Sequence, residues 1–266
     1  MRTATPEGNS SRARVGVRYR GRASLWAVLT VAALAHPLNA VGQVDPLPAV
    51  QNPVSVRWWH GAVMVGGLSA IMLLDQPSQK LFQSHRSGGS NRLAAGVQHF
   101  GQIEVYGTIT AGMVAAGLLS GNTELTRSGG RLAATLALAG ASSALAKLAL
   151  GRPRPEQRSE ADVYVPFSGR EAMPSGHTTI AFALATALSD DINRSWATVG
   201  LYTLATGVGW SRINDNRHWL SDVAAGAALG ITSAKIMNGR WRIFNLRPPR
   251  VLLGPGHAGI AWQLTF

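Results

Sequence analysis

Cysteine is absent from all 266 residues, which excludes disulfides, iron–sulfur clusters and thiolate zinc sites. Charge is also scarce. Only 14% of residues are charged while 46% are apolar, so much of the chain must be buried in protein or in lipid. No basic stripe interleaved with aromatic residues appears, which removes the usual footprint of a nucleic-acid partner. No carboxylate cluster is available for a divalent metal ion. Long hydrophobic runs are few: a membrane-spanning helix wants about 20 apolar residues, and several of the uncharged runs fall below that, Leu132 to Ala146 having 15.

What charge there is leans positive. The net charge is +12, but six arginines lie within the first 42 residues against Glu7 alone, leaving +7 for the remainder. That excess suits anionic headgroups or phosphate esters. Arg12, Arg14, Arg18, Arg20 and Arg22 precede the apolar run Leu25 to Ala35, and Ala40 and Gly42 offer a small-residue cleavage site. Segment 1–42 therefore reads as a secretory signal or, uncleaved, as a first membrane helix with a positive flank. Either sends the chain to the cell envelope, to the inner membrane with the site facing the periplasm or to the periplasm itself. A cleaved signal followed by three full crossings would leave the end of the third helix in the cytoplasm.

Residues 43–57 hold three prolines and no helical period, and read as a linker. Six apolar stretches follow: Trp58 to Leu74, Val105 to Thr123, Leu132 to Ala146, Thr178 to Ser189, Ser195 to Ser211 and Val223 to Ala234. With no period-two alternation between them, they predict an all-α bundle of about six helices over 58–237, membrane-associated. The basic tail 238–266 has room for a short hairpin.

Three segments carry chemistry. In "AKLALGRPRP", Gly151 and the prolines must end a helix, so Lys147 falls in its last turn and Arg152 and Arg154 on the exit. Alone, such cations could simply complement a helix C-terminus. In "MPSGHTT", Ser175 and Gly176 open a helix whose free N–H groups form an anion site, with His177 beside it. Ser as an ordinary helix cap is the plainer reading. In "SRINDNRHWLSD", His218 and Asp222 are four apart at a helix start and share a face. The carboxylate can then fix one imidazole nitrogen and leave the other free to attack. A local pair on a solvated face is the alternative. His60, His85, His99 and His257 lack ligand-like spacing.

Jointly these spacings resemble the signature of the type 2 phosphatidic acid phosphatase and vanadium haloperoxidase superfamily. Its Lys, six residues, Arg-Pro is matched by Lys147 and Arg154-Pro155; its Pro-Ser-Gly-His by Pro174 to His177. Its Ser-Arg, five residues, His, three residues, Asp is matched by Ser211, Arg212, His218 and Asp222. The resemblance spans residues 147–222. It implies a helical phosphatase domain in which His218 forms a phosphohistidine, Asp222 orients it and His177 serves as acid and then base. Lys147, Arg154, Ser175, Gly176 and Arg212 then hold the phosphate oxygens. It implies no metal and no cofactor, although vanadate fits the same pocket. The expected partner is a phosphorylated lipid such as phosphatidate or a polyprenyl diphosphate. A secreted acid phosphatase, a haloperoxidase and an inactive lipid-binding bundle are the alternatives. The motif register selects Arg154, and leaves Arg152 as an expected helix-end or surface charge.

Overall fold

Residues 53–243, 250–254 and 257–261 are described by a computed structural model, with side chains for 53–243. The expected signal or first membrane helix, 1–42, lies outside them. Eight α-helices are present among the described residues: α1 Trp58–Met72, α2 Asp75–Ser84, α3 Gly88–Val97, α4 Ile103–Ser120, α5 Thr123–Leu150, α6 Gly176–Ile192, α7 Ser195–Asn214 and α8 Leu220–Met237. A 3-10 turn, Gln98–Gly101, joins α3 to α4.

The expected count of six is therefore corrected to eight. The additional helices, α2 and α3, are ten residues each and lie in a region that reads as polar loop. Pro77 falls within the first turn of α2, where its missing N–H costs nothing. Ser87 caps α3 by accepting from the Ser90 amide at 3.1 Å, and Ser90 returns the bond. A capping box thus starts α3, while α2 begins on Asp75 and Pro77 without a side-chain cap.

α5 is also longer than its apolar stretch. Asn122 accepts from the Leu125 amide at 3.0 Å and starts the helix one turn before Arg127. Arg131, on the same helix, pairs with Asp191 at 2.6 Å. The resulting 28 residues reach about 42 Å at 1.5 Å per residue. Two stretches, Gly88–Ser120 and Thr123–Leu150, have the length and composition to cross a membrane.

α6 occupies the centre, packed on α5, α7 and α8. Leu132, Leu136 and Ala139 of α5 meet Ala183, Leu184 and Ala187 of α6 and Ala234 of α8 in one apolar cluster. Ala181 and Ala185 meet Ala205 and Val208 of α7 in another. These small residues let the helices approach closely, and Gly226 and Gly230 take the approach to its limit. A Cβ on Gly226 would stand 2.7 Å from the Ser175 carbonyl oxygen, and one on Gly230 would stand 2.8 Å from the Ala183 amide. That closeness seats α8 against the first turns of α6.

Short strands complete the described residues. β1 Val54–Val56, inside the stretch read as linker, pairs in parallel with β2 Trp241–Ile243. β3 Arg250–Gly254 and β4 His257–Ala261 form the antiparallel hairpin that the tail's composition allows.

Candidate active site

Lys147 stands in the last turn of α5, and Gly151 ends that helix at φ +57° with its amide bonded to the Lys147 carbonyl at 2.9 Å. Left-handed geometry favours glycine there, and a Cβ would also run into the Val165 carbonyl. The chain then leaves along Arg152 to Pro155. Two hydrogen bonds stitch this exit to the other motifs. Ala172 donates its amide to the Arg152 carbonyl at 3.0 Å, and the Trp219 indole donates to the Pro153 carbonyl at 3.1 Å.

Ser175 directly precedes α6, and its amide donates to the Asp222 carbonyl at 2.9 Å. The second and third motifs are thereby joined backbone to backbone. Ser175 is fully buried, and its hydroxyl oxygen accepts from Thr178 Oγ1 at 2.9 Å, which keeps its own proton available as a donor. Gly176 is the first helical residue, so its amide is one of the N–H groups that a helix leaves unpaired. A Cβ there would stand 3.7 Å from Lys147 Cε, so the lysine side chain passes over the helix start. Lys147 Nζ itself donates to the Glu171 carbonyl.

Arg212 and His218 are both buried, and the turn between them is closed by the amides of Arg217 and His218, which donate to the Arg212 carbonyl. The Arg212 guanidinium donates to Gln98 Oε1 at 2.9 Å and to Asp215 Oδ2 at 2.7 Å, while its Nε is buried without a protein partner. Arg154 is more open. Its amide donates to Gln157 Oε1 at 3.1 Å and its guanidinium lies 3.8 Å from Glu156.

His218 Nδ1 lies 3.6 Å from Asp222 Oδ2, just beyond hydrogen-bond length, and Nε2 is the opposite nitrogen. Burial lowers the His218 pKa against the upward pull of Asp222, and the charges of Lys147 and Arg154 act with burial. His177 is lowered to about 4, first by burial and then by Arg212, His218, Lys147 and Arg154. Four positively charged or chargeable groups from the first and third motifs therefore act on one histidine of the second. An arrangement of that sign concentrates an oxyanion and disfavours a cation.

Arg152 corrects the sequence reading. It is no surface charge: its side chain is 1% exposed and pairs with Asp222 and Asp75 at 2.6 Å each. Asp75, at the start of α2, is fully buried and also accepts from the Ser221 amide at 2.8 Å and hydroxyl at 2.6 Å. Sequence reading missed Asp75, Gln98 and Asp215 because the elements that carry them lie outside the matched motifs or between their fixed positions. The doubled Arg-Pro was the signal available for Arg152. No group of three His, Asp or Glu residues suited to a metal ion occurs among the described residues.

Residues 128–244, which contain all three motifs, match the PAP2 superfamily. A lipid A 1-phosphatase from Porphyromonas gingivalis is 39% identical over 108 residues, or 40% of this chain; the chain covers 22% of that protein's length. Two solved structures share the fold. LpxE from Aquifex aeolicus is 21% identical, with a TM-score of 0.50 over 62% of this chain and 94% of that one. The first transmembrane PAP2-type phosphatidylglycerolphosphate phosphatase from Bacillus subtilis is 19% identical, with a TM-score of 0.51 over 68% of this chain and 92% of that one. The three motifs that meet around His177 and His218 all lie inside the region that matches the PAP2 superfamily.

Proposed function

We propose that the protein is a metal-independent phosphatase that hydrolyses a phosphate or diphosphate monoester of a lipid through a phosphohistidine on His218. The observation that carries this reading is the cationic surround of His177 and His218, built from Lys147 and Arg154 of the first motif and Arg212 of the third. His218 Nε2 attacks phosphorus while Asp222 supports Nδ1 and the charge that the ring acquires. The bond to the leaving oxygen breaks, and His177 gives that oxygen a proton. His177 then takes a proton from water, whose oxygen displaces His218 and releases inorganic phosphate. Lys147, Arg154, Arg212, Ser175 and the Gly176 amide hold the equatorial oxygens throughout.

His177, neutral near pH 7 in the empty site, becomes a competent acid when phosphate enters. Anion charge offsets the cations Arg212, Lys147 and Arg154, which add to burial in depressing its pKa, so the protonated form gains stability.

A lipid substrate and a site in the cell envelope are supported by large apolar side chains facing outward on several helices. Trp58, Val63 and Val65 of α1, Leu119 of α4, Leu145 of α5 and Trp196 and Val199 of α7 are each at least 60% exposed. A water-soluble protein rarely displays so much apolar surface. Both phosphatases named by substrate among the similar proteins, the lipid A 1-phosphatase and the phosphatidylglycerolphosphate phosphatase, act on lipid phosphates. The test is phosphate release from a panel of phosphatidate, polyprenyl diphosphate, lipid A and soluble esters. Preference for a lipid ester supports the reading. Preference for soluble esters, with release of the protein into a detergent-free periplasmic wash, would replace it with a broad-specificity acid phosphatase.

A further inference from the structure

Arg152 has five N–H protons and makes five contacts with oxygen. Nε and Nη2 donate to the Ala161 carbonyl at 2.9 and 2.5 Å, Nη2 to Asp75 Oδ2 at 2.6 Å, and Nη1 to Ser221 Oγ at 2.7 Å and Asp222 Oδ1 at 2.6 Å. No donor remains for a phosphate oxygen. The guanidinium carbon also lies 5.4 Å from the Tyr164 ring and 5.6 Å from the Trp219 ring, which fixes its plane.

We propose that Arg152 is a positioning residue, clamped by Asp75, that holds the Asp222 carboxylate behind His218 and makes no contact with substrate. The proposal rests on the reading of His218 as nucleophile. Asp222 divides its two oxygens between two tasks. Oδ1 is held by Arg152, while Oδ2 accepts the Trp219 amide at 2.8 Å and faces His218 Nδ1. A carboxylate gripped on one edge cannot rotate, so its other edge stays aimed at the imidazole.

Asp75 settles the charge. A guanidinium paired with Asp222 alone would cancel the negative charge that the phosphorylated imidazole needs beside it. With Asp75 as second partner, the buried trio of one cation and two carboxylates keeps a net charge of −1 next to His218. Asp75 stands in the first turn of α2, where a carboxylate complements the helix dipole. Asp75 also binds both the amide and the hydroxyl of Ser221, the neighbour of Asp222, so the clamp reaches the backbone that carries the carboxylate. A residue from α2, outside the family-matched region 128–244, thus completes the support of the motif histidine.

The experiment compares wild type with Arg152→Lys, Asp75→Asn, Arg154→Lys and His218→Ala, using short-chain phosphatidate as substrate and inorganic phosphate as competitive inhibitor. Each variant's thermal unfolding is recorded. For folded Arg152→Lys and Asp75→Asn, kcat is expected to fall between about 10- and 100-fold, the range for a misaligned reacting group. Their KM and phosphate Ki stay within about threefold of wild type. Arg154→Lys raises both KM and Ki. A phosphate Ki that rises in Arg152→Lys as it does in Arg154→Lys would make Arg152 a substrate contact and overturn the proposal. Wild-type kcat in both folded variants, with His218→Ala inactive, would also overturn it while leaving the nucleophile in place. Loss of folding in both variants would assign the cluster to stability alone, against the proposal. A folded His218→Ala with wild-type turnover would instead remove the parent reading.

Discussion

The Ser175 amide donates to the Asp222 carbonyl at 2.9 Å, so the start of α6 and the first turn of α8 are fixed to each other at the site. Ser175 precedes the oxyanion-facing helix start, and Asp222 stands behind His218. One backbone bond therefore sets the spacing between the groups proposed to hold phosphate and the proposed nucleophile. Its integrity depends on the tight packing of α8 on α6, and mutations that part these helices act on chemistry as well as on stability.

Gly230→Ala tests that dependence. The new methyl group would meet the Thr179 carbonyl and the Ala183 amide, both backbone atoms of α6, so the helices must separate. Overpacking of this kind costs about 1–3 kcal/mol. A lowered Tm with reduced kcat is the expected result; a Tm equal to wild type would show that the interface has slack.

Asp222→Ala strips one of two carboxylate partners from a buried guanidinium. Removing one member of a buried ion pair costs about 3–5 kcal/mol, and His218 loses its only neighbouring carboxylate within 4 Å among the described residues. Denaturant unfolding should show a lower midpoint, and activity should fall to background. A stable Asp222→Ala with appreciable turnover would contradict both roles assigned to this residue.

The His177 ring offers a pH test. It is expected to titrate near pH 4 in the free protein, because burial and surrounding cations favour its neutral form. Bound inorganic phosphate offsets those cations, so the titration midpoint should move upward. Histidine NMR with and without phosphate reads the shift directly, and a downward shift or none would place the anion elsewhere.

Much of this site was legible in the sequence because its members recur at fixed spacings within 147–222. Gly151 and the prolines marked the end of α5, which put Lys147 in the last turn. Arg152 was not legible. A cation two residues from a helix end looks like a cap until its partners are known, and Asp75 and Asp222 lie 77 and 70 positions away. For the same reason α2 and α3 escaped notice: Ser87 and Pro77 are local signals, weaker than an apolar stripe. Packing, not composition, turns Asp75 from a loop acid into a buried clamp.

Vanadate should inhibit, since it matches the five-coordinate geometry through which phosphorus passes, and such analogues bind at least about 100-fold tighter than substrate. Competition against substrate, measured as Ki, checks this. An inhibitor constant no better than that of inorganic phosphate would argue against a nucleophile poised in line with the oxyanion site.

Alkaline-quench trapping with a substrate labelled at the transferred phosphorus tests the central claim most directly. The account predicts an acid-labile, base-stable phosphoryl group on His218, absent from His218→Ala and accumulated when His177→Ala slows hydrolysis. Label on a different residue, or wild-type turnover by a folded His218→Ala protein, would contradict it.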